Sequence, residues 1–165
     1  LAAESSDHCS VSCTVPHNVG GDISTLLDGT ENVKLIAIHD GARPLVTEEI
    51  IARTVSKAEK FHAAAPAVAV KDTVKVTKNG TVDHTPDRST LCAVQTPQVF
   101  DADLIKGALT KAANDGLTLT DDCAAVEMMG ARPYTVEGDE DNIKLTTQRA
   151  MMLAETILTS RGENI

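Results

Sequence analysis

Tryptophan is absent from this 165-residue chain, and aromatic residues reach only 2% (Phe61, Phe100 and Tyr134). That is too few for a surface on which bases stack. Cations are also in deficit: 15 Lys and Arg stand against 24 Asp and Glu, a formal net charge of −9. Such a surface repels a phosphodiester backbone, which argues against general nucleic-acid binding. No apolar run approaches the ~18 residues that span a bilayer, so no membrane partner is expected. The first residues lack the basic and apolar blocks of a signal peptide. Cys9, Cys13, Cys92 and Cys123 are too few and too scattered for a disulfide framework, so a reduced, cytoplasmic protein is expected. Cys9, Cys13 and His17 would share a helical face, but Pro16 argues against that helix and the spacing is unlike a structural zinc site.

What is present is ordinary globular material, 42% apolar and 24% charged. Residues 33–38 (VKLIAI) read as a buried strand ending at His39-Asp40-Gly41-Ala42-Arg43-Pro44. Residues 47–64 read as a helix with Thr47 as N-cap and Ile50, Ile51, Thr54, Val55 and Ala58 along one stripe. Pro66 is expected to stop it, and residues 67–70 to begin the next strand. Asn79-Gly80, between runs in which Val74, Val76 and Val82 alternate with polar residues, predicts a β-hairpin over 73–85. A lone hairpin is marginal in water, so an arm over about 71–90 should pack on something, such as a second subunit. Further expectations are a strand at 91–95, helices at 103–113, 120–129 and 147–159, and a strand at 134–136, with a Thr120 hydroxyl capping the second of those helices. The sum is one doubly wound α/β domain over 1–165 with a protruding arm. The first 32 residues fit this pattern poorly, apart from a turn at Gly20-Gly21-Asp22.

Asp40 and Arg43 follow a buried strand, where open α/β sheets place ligands; a capped turn with a surface ion pair is the plainer account. Thr120 at a helix start suits a phosphate or simply begins the helix. Lys144 and Arg88 could equally be solvated charges or exposed ion pairs. Together, cations, a carboxylate and hydroxyls at loop positions suit an anionic phosphorylated ligand. No serine or cysteine is paired with a base for covalent catalysis, so electrostatic positioning of phosphates is the generic expectation.

Six strings carry a more specific signal: IHDGARPLV (38–46), VKDTVK (70–75), TPDRSTL (85–91), AVQTPQVF (93–100), LTDDCAAVEMMG (119–130) and VEGDEDNIKLTT (136–147). In order and spacing, the chain from about Val33 onward resembles the 2-C-methyl-D-erythritol 4-phosphate cytidylyltransferases of the non-mevalonate isoprenoid pathway. The ribitol 5-phosphate cytidylyltransferases are the neighbouring branch. TPDRSTL and Ala42 are closer to the isoprenoid enzymes.

The resemblance implies a Rossmann-like nucleotidyltransferase that transfers CMP from CTP to methylerythritol phosphate with Mg²⁺, releasing pyrophosphate. It implies Asp40 near the metal and the ribose or polyol, with Gly41 lining the ribose. Arg43 and Thr120 would hold the sugar phosphate, and Lys144 would lie by the α-phosphate. Thr73 and Arg88 would come from the arm, which in this family reaches into the partner site of a homodimer. Gly21 and Asp22 match the cytosine-side turn, and Ala2 and Ala3 the start of the family's glycine-rich CTP loop. The remainder of that loop, with its Arg and Pro-Lys pair, has no counterpart here, and Ile23 directly follows Asp22 where the family carries a stretch with an Arg and a Ser. Cys92 and Gln148 replace the usual Trp and Pro. Two accounts follow: an enzyme whose triphosphate loop lies outside this sequence, or a shortened, non-catalytic sugar-phosphate-binding relative. An intact mass several kilodaltons above that of 165 residues separates them.

Overall fold

The computed structural model describes residues 10–14 and 33–162. Eight strands and four α-helices occur among them. The strands are β1 (Ser10–Thr14), β2 (Leu35–Asp40), β3 (Ala63–Ala69), β4 (Val76–Lys78), β5 (Thr81–His84), β6 (Cys92–Val94), β7 (Gln98–Asp101) and β8 (Tyr134–Glu137). The helices are α1 (Glu48–Phe61), α2 (Ala102–Asn114), α3 (Asp122–Met128) and α4 (Gln148–Ser160).

The main sheet is mixed. β1 runs parallel to β2, β7 lies antiparallel between β2 and β3, and β8 joins β3 in parallel. Ala64 pairs with both Val99 and Tyr134, and Ala67 with both Val94 and Glu137, so β6 and β7 share the edge of β3 opposite β8. They amount to one antiparallel strand broken at residues 95–97. β2 and β3 are therefore joined through α1 without being neighbours.

Alternation along the strands divides the core between two faces. Ile36, Ile38, Ala63, Ala65 and Phe100 pack under α2 and α3, against Ile105, Ala108, Cys123 and Val126. Ala37, Ala64 and Val99 face α1 at Ala58. Helices on both faces give the expected doubly wound α/β arrangement. A third cluster docks α4 through Ala154 and Ile157 on Leu45, Ile143 and Leu145.

Several local expectations are corrected. The α1 helix ends at Phe61, where His62 takes a left-handed φ of 66° and donates its N–H to Ala58 O. The alanines at 63–65 begin a strand rather than continuing the helix, because they are buried between two helical layers. Pro66 sits inside that strand. Its carbonyl accepts from Gln95 N–H, so its missing N–H faces the 95–97 break, where least of the ladder is lost. β7 went unrecognised in the sequence, because Gln98-Val99-Phe100-Asp101 is short and follows Thr96-Pro97. β1 likewise lies in the stretch that showed no pattern, with only Val11 and Cys13 apolar in SVSCT. Cys13 in a strand also removes the helical face it would share with Cys9 and His17, both outside the described residues.

The hairpin forms where Asn79-Gly80 directs it. Both residues take positive φ (50° and 81°), as a tight two-residue turn requires. β4 and β5 make a separate two-stranded sheet whose residues are all exposed, including Val76 at 40% and Val82 at 60%.

Candidate functional site

Asp40 stands at the carboxyl end of β2 and Lys144 in the loop between β8 and α4. Lys144 Nζ lies 2.6 Å from Asp40 Oδ2, with the two side chains 40% and 12% exposed. Burial raises the Asp40 carboxyl, but it is outweighed by hydrogen bonds from Lys144 and the Ala42 N–H and by the charges of Lys144 and Arg43. The net result lies below the usual carboxylate range. Asp40 is therefore an anion held by cations, and the turn after it is tied by Ala42 N–H to Oδ1 (3.1 Å) and Arg43 N–H to Asp40 O (2.9 Å).

Arg43 belongs to the same cluster. Its Nη1 donates to Asn142 O at 2.6 Å, and burial pulls its guanidinium below its ordinary value while Asp40 opposes the shift. The loop that carries Lys144 is fastened from both sides. Leu145 N–H donates to Ala42 O (2.7 Å), Gln95 Nε2 to Asp139 O (2.7 Å), and Asp139 N–H to Gln95 Oε1 (3.2 Å). Gly138 permits this closure, since a Cβ there would lie 2.5 Å from Gln95 Oε1 and 3.1 Å from the Ala67 backbone.

Thr120 is exposed immediately before α3 and does not cap it. The Asp121 carboxylate does, accepting from Ala124 N–H at 3.0 Å and from Gln98 Nε2 at 2.9 Å. Buried Gln98 also accepts Cys123 N–H at 2.9 Å, which ties the start of α3 to the strand beside β2. Burial, then the charge of Asp121, pushes Asp122 up to about 6 and also raises the Cys123 thiol.

The arm residues are not brought to this cluster. Thr73 is exposed, and Arg88 donates to Lys71 O at 2.8 Å in an exposed setting at the arm's base. Lys71 in turn pairs with Glu140 of the Lys144 loop. Gly41 is exposed beside Asp40, whereas Ala2, Ala3, Gly21 and Asp22 lie outside the described residues.

Among the described residues no group of three His, Cys, Asp or Glu side chains could hold a metal ion. A lone carboxylate beside a cation does not make a protein cage. Such a site suits a divalent cation held mainly by phosphate oxygens and water, with Asp40 as the candidate ligand among the described residues. The sequence reading missed Thr96, His39 and Asn142, which join the Asp40 turn to the Lys144 loop. All three lie within the strings quoted above, but nothing in local periodicity marks them.

The comparisons with known proteins agree with one another. The family model described as IspD, 2-C-methyl-D-erythritol 4-phosphate cytidylyltransferase, matches residues 19–160. A 2-C-methyl-D-erythritol 4-phosphate cytidylyltransferase of Caldanaerobacter subterraneus is 48% identical over 129 residues, covering 78% of this chain and 57% of the relative. One of Desulforamulus reducens is 47% identical, covering 79% and 56%. The chain thus spans little more than half the length of these relatives. A crystal structure of 4-diphosphocytidyl-2C-methyl-D-erythritol synthase from Anaerococcus prevotii superposes with a TM-score of 0.81 at 31% identity, covering 88% of this chain and 68% of that one. The Thermus thermophilus cytidylyltransferase gives a TM-score of 0.74 at 31% identity, covering 83% and 67%.

Proposed function

Because this chain belongs to the 2-C-methyl-D-erythritol 4-phosphate cytidylyltransferase family, we propose that the intact protein transfers CMP from CTP to 2-C-methyl-D-erythritol 4-phosphate. The products are 4-diphosphocytidyl-2-C-methyl-D-erythritol and pyrophosphate, and the setting is cytoplasmic isoprenoid biosynthesis. The observation that carries this reading is the Asp40–Lys144–Arg43 cluster at the carboxyl end of β2, reached by motifs in family order.

A phosphate oxygen of the sugar phosphate forms a bond to the α-phosphorus of CTP, and the bond from that phosphorus to the pyrophosphate oxygen breaks. No protein nucleophile takes part. Lys144 Nζ stabilises charge that grows on the α-phosphate, the kind of contact worth most in the transition state. Arg43 and Thr120 hold the sugar phosphate and Gly41 lines the ribose. Asp40, kept ionised by its neighbours, orients Lys144 and is the residue that would hold Mg²⁺. When bound, Mg²⁺ supplies neutralisation of the triphosphate charge. Ala2, Ala3, Gly21 and Asp22 belong to the nucleotide side of the site.

Thr73 and Arg88 act from the arm of a partner chain in a homodimer. Support comes from the arm's exposed strands and from Arg88, whose hydrogen bond goes to Lys71 O at the arm's base rather than to Asp40 or Lys144. The test is pyrophosphate release by the intact protein, expected only when CTP, Mg²⁺ and methylerythritol phosphate are all present. Equal or faster turnover with ribitol 5-phosphate would move the protein to the neighbouring branch.

A further inference from the structure

A closed ring of four hydrogen bonds lies beneath the Asp40 turn. His39 Nε2 bonds Arg43 O (3.0 Å), Arg43 Nη1 donates to Asn142 O (2.6 Å), Asn142 Nδ2 donates to Thr96 O (3.0 Å), and Thr96 Oγ1 bonds His39 Nδ1 (3.0 Å). Thr96 is the hub. Its hydroxyl oxygen also accepts the Asp40 N–H at 3.0 Å, so one side chain fixes the Asp40 backbone while its carbonyl fixes the Lys144 loop. Asn142 (0% exposed) and His39 (9%) are buried, while Thr96 and Arg43 are part-exposed. Its members come from three separate segments, which meet only because the β6–β7 strand breaks at 95–97.

Donor and acceptor chemistry assigns every proton. Arg43 O can only accept, so His39 Nε2 carries a hydrogen. In the neutral imidazole Nδ1 then offers a lone pair, and the Thr96 O–H donates to it. That leaves the Thr96 oxygen free to accept Asp40 N–H. Of the two neutral tautomers, only Nε2–H is consistent with all of these directions.

Resting on the function proposed above, we propose that Thr96 is a positioning residue for that reaction, with His39 in the Nε2–H tautomer as its relay. Together they set Asp40, Arg43 and Lys144 relative to one another. Misplacing a reacting group by a fraction of an ångström to an ångström costs up to about 100-fold in rate, so the ring acts through geometry alone.

The experiment compares full-length wild type, Thr96→Val and Thr96→Ser. Valine keeps the shape without the hydroxyl, and serine restores the hydroxyl without the methyl. Two readouts are taken: nitrogen NMR of the His39 ring, with its signals identified by their loss in His39→Gln, and kcat with KM for pyrophosphate release. The expected result is an Nε2–H tautomer in wild type and Thr96→Ser. Thr96→Val should keep the hydrogen on Nε2, held by Arg43 O, but shift the Nδ1 signal as that nitrogen loses its hydroxyl donor, and lower kcat about 10–100-fold, with serine restoring most of it. A wild-type His39 with its hydrogen on Nδ1 overturns the proposal without any variant. So does Thr96→Val with wild-type kcat, or Thr96→Ser as impaired as valine. A wild type that shows the Nε2–H tautomer yet turns over nothing upholds the ring while refuting the function assigned to it.

Discussion

The turn that carries Asp40 and the arm that carries Arg88 are held by different means. Around Asp40 the links are several: an ion pair to Lys144, backbone bonds within the turn, a part-buried polar ring, and α4 packed on the flanking Leu45, Ile143 and Leu145. In the arm, one short ladder and an Asn-Gly turn stand on exposed residues, and the base is fixed by Arg88 to Lys71 O and by Lys71 to Glu140. The first region is tied together within one chain, whereas the arm's strands pack on nothing else in it.

Substitutions in the two regions should separate them. Phe100, fully buried where β7 meets β2 and β3, anchors the platform. Phe100→Ala should cost about 3–5 kcal/mol, measured by urea unfolding. Lys144→Ala should lower kcat of the intact enzyme about 10²–10³-fold with little effect on stability, since the lysine head is partly solvated. A kcat within about twofold of wild type would remove Lys144 from the chemistry.

Asp122 adds a pH dependence to the platform side. Its folded value of about 6 lies above the ordinary 3.8, so the folded state keeps a proton that the unfolded chain releases. Stability from this group is present below about 4 and is lost as pH rises to about 6 and beyond. Asp122→Asn should therefore flatten the stability profile over that window and leave the protein more stable at pH 7. Equal profiles for the variant and wild type would contradict the burial of a charge there. The smallest effect belongs to the arm. Val82→Ser should change the unfolding free energy of dilute protein by no more than about 0.5 kcal/mol, while weakening dimerisation measured by sedimentation.

These regions also differ in what their sequences reveal. The hairpin's turn is legible, because Asn79-Gly80 specifies positive φ locally, although its strands (76–78 and 81–84) are shorter than the 73–85 expected and Val74 lies outside them. On the platform, Asp40, Arg43 and Lys144 stand out as charges after a strand or in an acidic loop. Their supporting ring does not. Thr96 reaches Asp40 across 56 residues and Asn142 across 46, and such bonds leave no periodic trace in the chain. The same reason hides the start of β3: residues 67–69 are expected in a strand, but Ala63-Ala64-Ala65 have helical composition, and only burial between two layers makes them strand. Thr120 was misread as a cap because the hydroxyl and the following carboxylate offer the same chemistry one residue apart. Asp121, anchored by Gln98, takes the position.

The division between platform and arm is tested most directly by mixing two dead variants. Asp40→Asn disables the platform and Arg88→Ala removes a charge-assisted phosphate contact from the arm, so each alone should be nearly inactive. After the two are unfolded and refolded together, random pairing makes about half the dimers mixed, each with one site that holds both Asp40 and Arg88. If Arg88 works across the interface, about a quarter of wild-type activity returns. A mixture that stays dead, once subunit exchange is verified, would place Arg88 in the site of its own chain and contradict the account.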